Sequence, residues 1–85
     1  MKYFAFFYFM KDQPEDIAQT APLHTQYWKS LQLEGYMGGP FSDRSGGMII
    51  FKTNDKDEAQ KLVNDDPFVK EHLLHTRYLK EWNVE

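Results

Sequence analysis

The chain contains no cysteine. That excludes a disulfide framework, a thiolate nucleophile and any zinc–cysteine site. Basic clusters are missing too: ten Lys and Arg are scattered among thirteen Asp and Glu, for a net charge of -3. Phosphate contacts need clustered cations, so nucleic acid and anionic membranes are not expected partners. No apolar run approaches the about 20 residues that a membrane-spanning helix needs. The amino-terminal stretch has one Lys, then apolar residues, then the polar Lys11-Asp12-Gln13-Pro14, with no small-residue cleavage site behind it. A secretory leader is therefore not expected, and a cytoplasmic location is. Internal repeats and low-complexity tracts are absent. The 85 residues suffice for a single domain spanning 1–85.

What the chain does have is an aromatic run at its start, Tyr3-Phe4-Ala5-Phe6-Phe7-Tyr8-Phe9-Met10. Aromatic content of this density favours a β-strand. Alternation then sends Tyr3, Ala5, Phe7 and Phe9 to one face and Phe4, Phe6, Tyr8 and Met10 to the other. Neither set suits water. Helices of the same chain can cover one face, and a second copy of the chain is the simplest cover for the other. A chain of this size buries only about 60–65% of its unfolded surface, and pairing as a homodimer would relieve that shortage.

Asp12 or Gln13 can cap a helix with Pro14 in its first turn. Because Pro22 interrupts a helix, the sequence predicts a short turn of helix at 14–19 and a main helix from 20–22 to about Glu34. Tyr27, Trp28 and Leu31, with Leu23 or His24 a turn earlier, form its apolar stripe. Gly35 is the expected stop, and Leu33 falls off the stripe. Tyr36-Met37 opens a second strand, residues 38–47 read as a turn-rich hairpin connection, and Met48-Ile49-Ile50-Phe51 forms a third strand. Asp55 and Glu58 suggest a capping box for a helix whose inner residues are Ala59, Leu62 and Val63. Pro67 ends that helix. A last strand is expected near Leu73 to Trp82, with Leu74, Thr76, Tyr78, Lys80 and Trp82 on one face. The order β-α-β-β-α-β defines a ferredoxin-like α+β fold, with two helices on one face of a four-stranded antiparallel sheet.

Two residues stand out for chemistry. His24 lies in the opening turn of the main helix, where the positive end of the helix disfavours imidazolium and leaves a ring able to act as a base. Spacing alone leaves open a core histidine with one hydrogen bond. Asp66 precedes Pro67 and is placed either to cap the next turn or to face a partner. Gly38, Gly39, Gly46 and Gly47 match neither a P-loop nor a dinucleotide fingerprint, so a plain hairpin is the simpler reading. His72 and His75 are three apart, but no third ligand accompanies them and no metal is expected.

Ala21-Pro22-Leu23-His24 through Leu31, Glu34-Gly35 and Gly39-Pro40-Phe41 form one set of residues. Glu58-Ala59 and Asp65-Asp66-Pro67-Phe68 form a second. Together they resemble the YciI-like (YCII-related) family over nearly the whole length. The resemblance implies a ferredoxin-like unit that pairs sheet to sheet as a dimeric α/β barrel. It also implies that His24 and Asp66 face each other in an active-site pocket and perform acid–base chemistry without metal or redox cofactor. Gly39, Pro40, Phe41 and Phe68 are then the expected substrate-binding residues, and a small organic molecule, aromatic or cyclic in some relatives, is the expected substrate. Ala21 stands where the family often has Arg, which removes one anion contact. Lys70-Glu71-His72 stands where the family tends to have small residues.

The leading reading is thus an acid–base enzyme in which His24 moves a proton and Asp66 orients the imidazole and stabilises its charged form. Elimination, isomerisation and hydrolysis all fit such a pair. A non-catalytic small-molecule-binding or interaction module is the alternative, since fold does not settle function. A cofactor-free monooxygenase rests on barrel architecture alone.

Overall fold

The aromatic run forms the central strand β1 (Lys2–Met10), flanked by β3 (Gly46–Thr53) and β4 (Leu74–Trp82), both antiparallel to it. Strand β2 (Met37–Pro40) adds an edge outside β3, giving the order β2-β3-β1-β4. The computed structural model describes residues 1–85 and adds α1 (Pro14–Ser30), α2 (Lys56–Asn64) and a short α3 (Pro67–Lys70). The element order is that of a ferredoxin-like α+β fold with one extra helical turn. No helix is long and apolar enough to cross a membrane.

Alternation along β1 divides the strand as its composition requires. Phe4 and Phe6 are 0% exposed and Tyr8 is 4% exposed, beneath the helices. They pack with Trp28, Ile49, Phe51, Ala59, Val63 and Phe68 in one core cluster. Each large apolar side chain buried there contributes roughly 1.5–3 kcal/mol. Tyr3, Ala5 and Phe7 are half-buried, and Phe9 is exposed, on the opposite face.

Several boundaries differ from the sequence reading. Pro22 does not break the helix: α1 runs unbroken through it. A proline removes the bond to the carbonyl four residues back, here that of Ala18. Both residues lie on the exposed side of α1, where solvent can satisfy that carbonyl. On the opposite side Thr20, His24 and Trp28 are buried at helical spacing, which holds the helix together. His24, not Leu23, therefore continues the stripe; Leu23 is exposed. Gln13 is the N-cap, without a side-chain hydrogen bond. The helix ends at Ser30, and Gln32, at φ 50°, takes the left-handed position expected of Gly35. Leu33 lies past the helix and packs against the core from the following turn. Gly35 is still required, at φ 69°, because a Cβ there would lie 2.8 Å from the Tyr3 ring.

The hairpin connection is shorter than expected, since β2 includes Gly38 to Pro40 and β3 begins at Gly46. Asp43 accepts bonds from the Ser45 amide (3.0 Å) and hydroxyl (2.7 Å) in the remaining turn. These bonds hold the Asp43 carboxyl below its ordinary value. Half of the expected capping box forms, with the Glu58 amide donating to Asp55 Oδ1 at 2.9 Å. The Glu58 carboxylate instead accepts from Thr53 Oγ1 and Asn54 Nδ2. In β4, Thr76, Tyr78, Lys80 and Trp82 pair with the open-face residues of β1, as alternation predicts. Leu74 leaves that face, because a register shift beside Phe9 pairs it with Met10 and a bulge inverts facing.

Candidate active site

Three elements deliver the site. Buried α1 spacing points His24 at the sheet; the β-region N-cap of α3 fixes Asp66; and alternation in β1 points Tyr8 at both. The turn between α2 and α3 brings the carboxylate under α1, although 42 residues separate it from His24.

His24 Nδ1 lies 2.9 Å from Asp66 Oδ1 and 3.0 Å from Oδ2. Asp66 is fully buried, and its carboxylate also accepts from Trp28 Nε1 at 2.9 Å and from the Phe68 amide at 2.8 Å. The same side chain thus caps α3 and faces the histidine, so the two roles left open by sequence coexist. An ionised carboxylate only accepts, which assigns the Nδ1 proton to His24 as donor and leaves Nε2 as the acceptor nitrogen of the neutral ring. Tyr8 Oη sits 3.1 Å from Nε2 and donates to it. Phe68 stacks on the imidazole with centroids 4.2 Å apart and planes 21° apart, which fixes the ring's tilt. No buried side-chain nitrogen or oxygen in the structure lacks a partner.

Tyr8 was not singled out by sequence, where it reads as one more core aromatic. The available signal was its position on the inner face of β1, since a buried phenol needs a hydrogen-bond partner. Burial, then the negative charge of Asp66, then nearby Tyr36, hold its phenol well above the ordinary value. Tyr27 Oη donates to the Leu62 carbonyl, and burial with the charges of Asp65 and Asp66 pushes its phenol up to about 12.

A cavity of about 400 Å³ opens over this cluster. Tyr8, His24 and Phe68 form its floor, and Gly39, Pro40 and Tyr36 belong to its walls. Burial raises the Tyr36 phenol. None of the 15 lining residues is acidic, while Lys29 and Arg44 are both among them. Ala21 also lines it. Phe41 stands apart from the cavity. It packs against Phe9, ring centroids 5.8 Å apart, at the edge of the open face. His72 and His75 are exposed, and no group of three or more His, Cys, Asp or Glu side chains is gathered anywhere as a metal site would require.

The architecture defines a small α+β protein of ferredoxin-like fold that holds a buried imidazole–carboxylate pair at the base of a cavity. The chain belongs to the YCII-related domain family, whose model matches residues 1–83. Several solved structures share the fold, two of them as follows. One is 5-chloro-2-hydroxyhydroquinone dehydrochlorinase (TftG) from Burkholderia phenoliruptrix AC1100, in complex with 2,5-dihydroxybenzoquinone; it has a TM-score of 0.80 and 20% identity, covering 95% of this chain and 93% of that one. The other is an antibiotic biosynthesis monooxygenase, with a TM-score of 0.69 and 14% identity, covering 100% of this chain and 99% of that one. At such identities the likeness concerns the fold. No curated protein matches the chain in sequence.

Proposed function

We propose that this protein is an acid–base enzyme acting on a small organic substrate, aromatic or cyclic, with the His24–Asp66 pair as its proton-moving group. The observation that carries this reading is the fully buried Asp66 carboxylate, 2.9 Å from His24 Nδ1, at the floor of a cavity. A carboxylate so placed fixes the imidazole tautomer and stabilises the imidazolium formed when the ring takes a proton. The cations Lys29 and Arg44, with no acidic lining residue opposing them, suit a substrate with an anionic or acidic hydroxyl group. A likeness in fold to a dehydrochlorinase makes elimination from a hydroxylated ring the first reaction to try. Gly39, Pro40 and Phe68 would contact the substrate. Phe41 would act from outside the cavity, beside the apolar sheet face on which a second copy of the chain would dock.

A panel of small hydroxylated aromatic and cyclic acids, screened by thermal shift, identifies the ligand class, because a ligand at 100 times its Kd adds about 2.7 kcal/mol to the native state. His24→Ala is then expected to abolish turnover while leaving fold and oligomeric state unchanged. Turnover at the wild-type rate in that variant removes the mechanism. A non-catalytic binding module is the second reading, favoured by the fact that both imidazole nitrogens already have partners. It is recognised by saturable binding of a panel member that is recovered unaltered.

A further inference from the structure

We propose that Tyr8 is a third catalytic residue: its hydroxyl, and not the imidazole, is the atom that exchanges a proton with the substrate. This rests on the acid–base reading of His24 and Asp66 and adds the atom through which the pair acts. His24 has no free nitrogen, since Asp66 engages Nδ1 at 2.9 Å and the Tyr8 hydroxyl engages Nε2 at 3.1 Å. A ligand in the cavity meets the imidazole directly only by displacing that hydroxyl. The Tyr8 proton is committed to Nε2, which leaves the oxygen its lone pairs, and Tyr8 is one of the residues lining the cavity.

The surroundings fit the role. The phenol ring is clamped between Phe6 and Phe68, at centroid separations of 5.1 and 6.0 Å, and stands edge-on to the imidazole at 71°. Gly47 lies opposite on β3. A Cβ there would come within 2.6 Å of Tyr8 Oη, so glycine is what leaves space for the hydroxyl. Burial and the Asp66 charge disfavour a free phenolate, so Tyr8 does not act as an isolated base. The step balances as a relay. A substrate proton bonds to Tyr8 Oη as the phenolic proton moves to His24 Nε2. The substrate keeps the electron pair, and the ring becomes imidazolium, held by Asp66. Reversal returns a proton from Tyr8 to the product or leaving group.

Two measurements on the full chain test this without the natural substrate. The first reads the histidine tautomer by nitrogen-15 NMR. His24 is expected to be protonated on Nδ1 and bare on Nε2, and Tyr8→Phe, which keeps the ring contacts, is expected to shift the Nε2 resonance. The second offers p-nitrophenyl acetate to the cavity. Tyr8 Oη is expected to bond to the acetyl carbon as the ester C–O bond breaks, with nitrophenolate leaving and the phenolic proton passing to His24. Mass spectrometry then finds the acetyl group on Tyr8, and His24→Ala slows its appearance about a hundredfold, within the usual range for loss of a general base. Acetyl transfer through His24 with no label on Tyr8, nitrophenolate release by Tyr8→Phe at the wild-type rate, or no labelling of Tyr8 at all would overturn the relay. The location of the label in the wild-type protein decides the matter even if a variant folds poorly. A wild-type ring protonated on Nε2 would sink the His24–Asp66 reading along with it. The expected tautomer without Tyr8 labelling would sink the relay alone.

Discussion

The two faces of the sheet are built from the same strands and solve opposite problems. Under the helices, alternate residues of β1 meet Trp28, Val63 and Phe68, and the polar atoms admitted there, from Tyr8, His24, Asp66 and Trp28, bond to one another. The other face carries Phe9, Met37, Met48, Tyr78 and Trp82, each at least 38% exposed. Its contacts are aromatic pairs, Phe7 with Tyr78 at 5.1 Å and Tyr3 with Trp82 at 6.1 Å. A dry face can hold polar groups only as a closed network, because each unpartnered one costs about 1–3 kcal/mol. A face left to solvent needs no network, and on the single chain this one stands open as an apolar patch, the kind of surface that marks an interaction site.

The largest expected effect comes from opening the closed network. Asp66→Ala removes one acceptor and strands the His24, Trp28 and Phe68 N–H groups together. Each buried N–H left without an acceptor costs about 1–3 kcal/mol, so three stranded donors together cost about 3 kcal/mol or more. Urea unfolding of Asp66→Ala is expected to show a loss of that size. Glu81→Ala cuts a pair with Lys2 at 3.7 Å, where both side chains are about half exposed, and is expected to change stability by less than about 1 kcal/mol. Equal effects from the two variants would show that burial of the network is not what sets its worth.

The next effect belongs to the open face. Met48 lies mid-sheet, opposite Phe7 on one side and Gly39 on the other. If a second copy docks there, Met48→Asp buries an unpaired carboxylate at the interface. The dimer Kd is then expected to rise at least about a hundredfold, or about 2.8 kcal/mol, with His24 and Asp66 undisturbed. Sedimentation equilibrium measures this directly. An unchanged association state would place the partner surface elsewhere.

Much of this contrast was legible from residue order. The aromatic run announced two apolar faces, Asp55 announced the start of a helix, and Asp66 stood open between capping the next turn and facing a partner. That His24 and Asp66 face each other was implied by the family resemblance and not by residue order. What could not be read depended on distant contacts. Pro22 looks like a helix breaker because local rules assign its cost, whereas burial of Thr20, His24 and Trp28 outweighs it. The bulge that turns Leu74 inward follows from pairing with Met10, which no local pattern in β4 reveals. Tyr8 is the instructive case. Its aromatic neighbours made it look like packing, and only the approach of a helix 16 residues later gives its hydroxyl a partner.

The smallest effect separates a phenol that serves the network from one that only fills space. Burial raises the Tyr8 phenol above its ordinary value of 10.0 and takes Tyr27 to about 12. A raised folded value means that the native state keeps a proton which the unfolded chain gives up. The stability this contributes is complete below about pH 10 and is lost as the pH climbs through the folded values. Native stability should therefore decline between about pH 10 and 12, beyond what salt or net charge accounts for. Tyr36 is raised as well, so Tyr8→Phe removes one of three such titrations, and its decline should be shallower even though it starts from a lower stability at about pH 8. Urea midpoints at stepped pH give both slopes. Parallel slopes would mean that the Tyr8 hydroxyl reaches solvent readily in the native state. The helix-covered face would then be less sealed than its hydrogen bonds imply, and closer in character to the open one.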